Sequence, residues 1–182
     1  MAETRDELTE LRVTTAILGE RVEAIERAIT VFLVSVTGVL LLGGLFFPFI
    51  ADEGDEEGDG PLFLVSAPFQ ALGYRDDDGD TDAANVLVGL ALLLLLAVVV
   101  SAILVLFPVL GRSAGRNVER WAVTTGVLLV LGVAGLWVLV GIGVSGDGGA
   151  TIEPAMGFLT IGAIAFALLV LPESVRSWWR RA

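Results

Sequence analysis

The chain contains no cysteine, no histidine and no lysine, so its 11 basic residues are all arginine. Each absence removes chemistry. Without cysteine there is no disulfide framework, no Cys-x-x-Cys redox pair, no thiolate nucleophile and no zinc-sulfur centre. Without histidine the usual imidazole base and haem ligand are missing, and without lysine neither a Schiff base nor a Walker A phosphate clamp can be built. Charge is scarce as well: 18% of residues are charged and 55% apolar, with mean hydropathy +0.82, against about 25% charged in a soluble domain. That balance belongs to a membrane protein.

A hydrocarbon core about 30 Å thick is crossed by about 20 consecutive apolar residues in helical form. Four stretches meet this test, Thr30 to Ile50, Ala84 to Leu110, Trp121 to Val144 and Pro154 to Leu171, and none holds a charged side chain. Backbone groups in lipid must pair within a helix or a closed barrel, and no alternating barrel pattern is present. The expected fold class is therefore all-α, a polytopic membrane protein with four transmembrane helices over residues 30–171. A cytoplasmic amphipathic or coiled-coil helix, 1–29, precedes it and a cytoplasmic interfacial tail, 172–182, follows. The apolar run Pro61 to Tyr74 is too short to span and has Pro68 in its middle, so it reads as an interfacial or loop-packing segment.

Arginine placement gives the orientation, because Lys and Arg next to a span stay cytoplasmic whereas acids count for little. Arg5, Arg12, Arg21 and Arg27 precede the first span, Arg112, Arg116 and Arg120 lie between the second and third, and Arg176, Arg180 and Arg181 follow the fourth. Only Arg75 falls on the other side. The expectation is a plasma (cytoplasmic) membrane protein with both termini cytoplasmic and external loops at 51–83 and 145–153. The first span follows a charged segment and precedes no small-x-small cleavage site, so it is expected to remain as an anchor.

The net charge of -11 is external. Thirteen acids and one Arg lie on that side, while ten Arg and nine acids lie inside. The acids concentrate in Asp52, Glu53, Asp55, Glu56, Glu57 and Asp59, then in Asp76, Asp77, Asp78, Asp80 and Asp82. Carboxylates are hard ligands that suit calcium, but a calcium loop started at Asp76 has Thr81 where Gly is needed and Leu87 where Glu is needed. A solvated acidic loop is the expected reading, with no metal site. Lysine absence with Asp-rich loops fits adaptation to high external salt, where screening relieves the repulsion, or a codon bias toward arginine.

In the N-terminal segment apolar residues recur at alternating spacings of three and four. With Leu8 at position a, the a series is Leu8, Thr15, Val22 and Ile29 and the d series is Leu11, Leu18 and Ile25. Thr4 and Glu7 form a capping-box pattern at its start. Parallel pairing would set Glu7 against Arg12 and Arg21 against Glu26, both attractive. Gly19 opposes the helix by about 1 kcal/mol relative to Ala. Three occupants suit the stripe Leu8, Leu11, Leu18, Val22, Ile25 and Ile29: a second copy of residues 4–29, the membrane surface, or another membrane protein.

The other features point to anchoring. Trp178, Trp179, Arg180 and Arg181 combine rings suited to headgroup depth with cations suited to the anionic leaflet, and the three arginines of the loop Gly111 to Arg120 suit the same lipids. Gly141, Gly143 and Gly146 spell the dinucleotide fingerprint, but they end an apolar helix with no preceding strand, so the match is fortuitous. No intramembrane charge marks a transport path. Ser35, Thr37, Asn85, Ser101, Thr124, Thr125 and Thr160 are the polar residues available to bond within or between helices. Ala122 with Gly126, Gly132 with Gly135, and Ala163 with Ala167 offer small packing faces. The expected function is a non-enzymatic scaffold or accessory subunit that self-associates or binds a partner in the lipid bilayer, with no cofactor and no nucleic acid. The alternative is an oligomeric cation channel or small transporter whose acidic loop forms an external vestibule.

Overall fold

The computed structural model describes residues 3–51, 62–73, 83–110, 116–144 and 151–172. Helix α1 (Glu3–Phe46) runs unbroken for 44 residues, about 66 Å at 1.5 Å per residue. It contains no proline, and at the junction between its polar and apolar halves the Thr30 hydroxyl donates to the Glu26 carbonyl one turn back at 2.9 Å, so this polar side chain is satisfied within its own helix. The N-terminal segment and the first span are thus one rod. It is already helical at Glu3, which puts Thr4 inside the first turn instead of at the cap.

Pro48 stops the rod. Phe47 N–H still bonds to Gly43 O at 2.9 Å, but proline has no N–H and disfavours helix in the residue before it. The first span consequently ends at Phe46, not at Ile50 as apolarity alone implied, and Pro48–Ala51 form strand β1. The run 61–74 holds strand β2 (Leu62–Phe63) and helix α2 (Ala67–Gly73). Pro68 occupies the second helical position, where no N–H is required, and so opens the helix where the sequence suggested an interruption. Leu64, Ala67 and Pro68 are buried, which agrees with a packing segment.

Helix α3 (Ala83–Leu110), helix α4 (Arg116–Val144), strand β3 (Thr151–Ile152) and helix α5 (Pro154–Val170) complete the order. Helix α4 starts five residues before Trp121, because hydropathy marks the beginning of the apolar run and not of the hydrogen-bonded helix; Glu119 in its first turn complements the positive end of the helix dipole. Helix α5 opens on Pro154 and closes with Leu171 N–H on Ala167 O at 2.8 Å, before Pro172.

Helix α5 packs against α1 and α4, and α3 packs against α4 and, over a smaller area, α1. The order around the bundle is α1, α5, α4, α3. Neighbours are antiparallel: Gly44 faces Leu159 while Leu41 faces Gly162, and Gly126 faces Phe166 while Trp137 bonds to Thr160. Val34, Leu41, Leu95, Val99, Leu129, Leu136, Leu159 and Phe166 fill the centre. Outward positions are apolar too, as at Leu94, Leu131 and Val138, a surface that suits lipid and not water. The helices containing Thr14–Phe46, Ala83–Pro108 and Asn117–Ile142 are long and apolar enough to cross a membrane, and Pro154–Val170 is a shorter apolar helix.

A three-stranded antiparallel sheet in the order β2, β1, β3 is the only sheet among the described residues. Ile50 is the pivot, paired with Leu62 on one side and Ile152 on the other, with a bulge between Pro48 and Ile50. The sheet joins the segments expected as two separate loops. It ties the end of α1 to the start of α5 at one end of the bundle.

Candidate functional site

The part of α1 that precedes the apolar span carries apolar side chains that none of the described residues covers. Every described side chain from Thr14 to Ile29 is exposed, and Leu18, Val22, Ile25 and Ile29 are between 48% and 59% exposed. Their spacings of four, three and four set them along one side of the helix. Leu8 and Leu11 belong to the same helix, and their side chains lie outside the described residues. The opposite side is polar: Arg27 pairs with Glu23 at 4.0 Å, one turn apart and solvent-exposed, an arrangement that adds only a few tenths of a kcal/mol (about 0.3–0.5) to the helix. Gly19 has open space where a Cβ would stand.

The interior offers little chemistry. Thr37 donates to Leu33 O at 2.8 Å, Ser101 to Ala97 O at 2.7 Å and Thr160 to Met156 O at 2.7 Å. Each of these hydroxyls is engaged with its own helix. Trp137 Nε1–H donates to Thr160 Oγ1 at 2.9 Å, a polar link from α4 to α5. Among the described residues no group of three or more acidic side chains is placed to hold a metal ion. The acidic clusters 52–59 and 76–82, the loop arginine Arg112, Gly146 and the tail residues Trp178, Trp179, Arg180 and Arg181 lie outside the described residues. Gly141 and Gly143 fall within the last turn of α4.

The small-residue pairs divide. Ala122 and Gly126 are buried, with Gly126 turned toward Phe166 and Val170, and Ala163 is buried beside Ala167. Gly132 and Gly135 do not form a joint face: Gly132 abuts Leu95, while Gly135 opens onto empty space. The tightest approach is elsewhere. A Cβ on Gly44 would overlap Leu159, and one on Gly162 would stand 3.0 Å from Leu41 Cδ2 and 3.3 Å from Leu40 Cβ. The available signal was the glycines themselves, since each lone glycine in an apolar helix costs about 1 kcal/mol and so implies a close neighbour.

No family model, curated protein or solved structure matches this chain. The stripe on α1 is therefore read from its own chemistry.

Proposed function

We propose that this chain is a non-enzymatic, multi-pass protein of the plasma membrane, a scaffold or accessory subunit that assembles with other chains through its N-terminal helix. The observation that carries the reading is the exposed row Leu18, Val22, Ile25 and Ile29 on a helix continuous with a membrane span. Each of these four side chains is about half exposed and still stands to gain roughly 1 kcal/mol on full burial, so a partner surface is the natural complement. Because the helix runs without a break through Thr30, whatever docks on the stripe is coupled directly to the span.

Four spans with both termini cytoplasmic complete the proposal. Helix α5 has 17 residues, about 25 Å, and modest tilt or local thinning of the bilayer accommodates the shortfall. Its enclosure between α1 and α4 supports a spanning role. The common sheet supports one side for both loops 51–83 and 145–153, and since open strand edges are not tolerated in lipid it belongs at or above the headgroups. The arginine distribution makes that side external.

The test is the native mass of the full chain extracted in mild detergent, with every bound chain identified. An assembly of defined stoichiometry that Leu18→Asp releases is expected. A monomer at all concentrations, with no bound chain, overturns the reading.

A further inference from the structure

The heptad of the N-terminal segment does not stop at the membrane. Carried along α1 in the same register, its next positions are Phe32 at d, Val36 at a, Val39 at d, Gly43 at a and Phe46 at d. Phe32, Val39 and Phe46 are 66%, 69% and 68% exposed, the highest values among the apolar side chains of this span. The residues of the same span that are buried in the bundle, Val34, Thr37, Leu41, Gly44 and Leu45, occupy positions f, b, f, b and c. In a heptad those positions lie on the side away from a and d. Helix α1 therefore turns one face to its own bundle and its d positions, from Leu18 to Phe46, away from it, while Gly43 at the last a position stands against Phe158 of α5.

We infer that this outward face is a single dimer seam on which a second copy of the chain packs in parallel from the cytoplasm through the membrane. The inference rests on the assembly proposed above and names its partner and extent. Apolar exposure inside the span would by itself mean only lipid contact. The register is what distinguishes this face: it is shared with a segment outside the span, where lipid tails do not cover the apolar row, and one rigid helix joins the two. Copies inserted with the same orientation present α1 in parallel, so the pairing of Glu7 with Arg12 and of Arg21 with Glu26 between g and e positions is attractive in the only arrangement insertion permits. Four successive a positions, Thr15, Val22, Ile29 and Val36, are β-branched, the residue class that favours two strands at a. Between the spans no hydrophobic driving force operates. The N-terminal half supplies the association, and the tether it makes keeps the two spans at high effective concentration.

The absence of native cysteine makes the test direct. Single variants Leu18→Cys, Ile25→Cys, Phe32→Cys, Val39→Cys and Phe46→Cys are made in the full chain, with Val31→Cys as the control, since Val31 is exposed on α1 but sits at position c. Oxidative crosslinking in intact membranes is expected to give disulfide dimers at all five d positions and at least tenfold less at Val31. Crosslinks at 18 and 25 without those at 32, 39 and 46 would overturn the continuous seam while leaving N-terminal assembly intact. Crosslinks at the three span positions alone, or equal yield at Val31, would overturn it as well. No crosslinks anywhere, combined with a monomeric native mass, would remove the assembly reading along with it.

Discussion

The indole N–H of Trp137 on α4 donates to the Thr160 hydroxyl on α5 at 2.9 Å, and that hydroxyl donates in turn to Met156 O at 2.7 Å. This relay fixes the rotation of α5 against α4 near the end of the bundle that bears the sheet. Thr160 acts as donor and acceptor at once, so its hydrogen is already engaged when Trp137 arrives. Farther along the same two helices Gly126 stands against Phe166 and Val170.

Replacing Thr160 by Val removes the acceptor with little change of volume and leaves the Trp137 N–H in a site 41% exposed. Interhelical hydrogen bonds in membrane proteins average about 0.6 kcal/mol and reach about 1.7 kcal/mol. Thr160→Val and Trp137→Phe should each lower unfolding stability in detergent. The double variant should cost less than the sum by about 0.6 kcal/mol, and strict additivity would show that the bond contributes nothing.

A second prediction concerns α1 and α5. Gly44→Leu forces a side chain into Leu159 where even one Cβ overlaps, and overpacking costs typically about 1–3 kcal/mol. Gly135→Leu points into open space and should leave stability within about 0.5 kcal/mol. Thermal unfolding of the two variants side by side checks this, and equal losses would mean that the crossing relaxes freely.

The long helices were legible because an unbroken apolar run admits no other backbone in lipid. What was not legible follows from local chemistry that hydropathy does not register. Pro48 to Ile50 are as apolar as the helix before them, and only the missing N–H of Pro48 turns that stretch into a strand. The pairing of Ile50 with Ile152 spans a hundred residues of sequence, and two-residue strands such as Leu62–Phe63 leave no period to read. The stripe Leu18, Val22, Ile25, Ile29 was visible as spacing. Its continuation through Phe32, Val39 and Phe46 was not, because in a span where nearly every residue is apolar a heptad cannot be told from its background until the buried face is known.

Topology gives a third prediction. Gly58→Cys and Gly148→Cys should react with an impermeant maleimide on intact cells, whereas Ser113→Cys and Ser177→Cys should react only after permeabilisation, since arginine-rich segments stay inside. The β1 to β3 pairing requires that Gly58 and Gly148, which follow and precede those strands, report the same side. Labelling of Ser113→Cys from outside would overturn the four-span arrangement.

The final prediction isolates what the N-terminal half of the seam contributes. Leu18→Asp puts a carboxylate at a d position with no cation opposite, and an unpaired charge in an apolar seam is strongly disfavoured, so dimer yield should fall at least tenfold while the spans still insert. Thr15→Ile replaces the one polar a residue by the type preferred there and should tighten the dimer. Glu7→Arg alone should weaken it modestly, and Glu7→Arg with Arg12→Glu should restore it, by the sub-kcal/mol amounts (about 0.2–1) of exposed ion pairs. Gly19→Ala, at an e position with open space around it, should raise helix stability by up to about 1 kcal/mol and strengthen association in step. The charge swap decides the occupant of the stripe. A helix lying on anionic lipid responds to total positive charge, so Glu7→Arg would tighten membrane binding and the added Arg12→Glu would merely reverse that gain. A paired helix responds in the opposite sense to the first change, and analytical ultracentrifugation of Glu7→Arg and of Glu7→Arg with Arg12→Glu in one detergent separates the two.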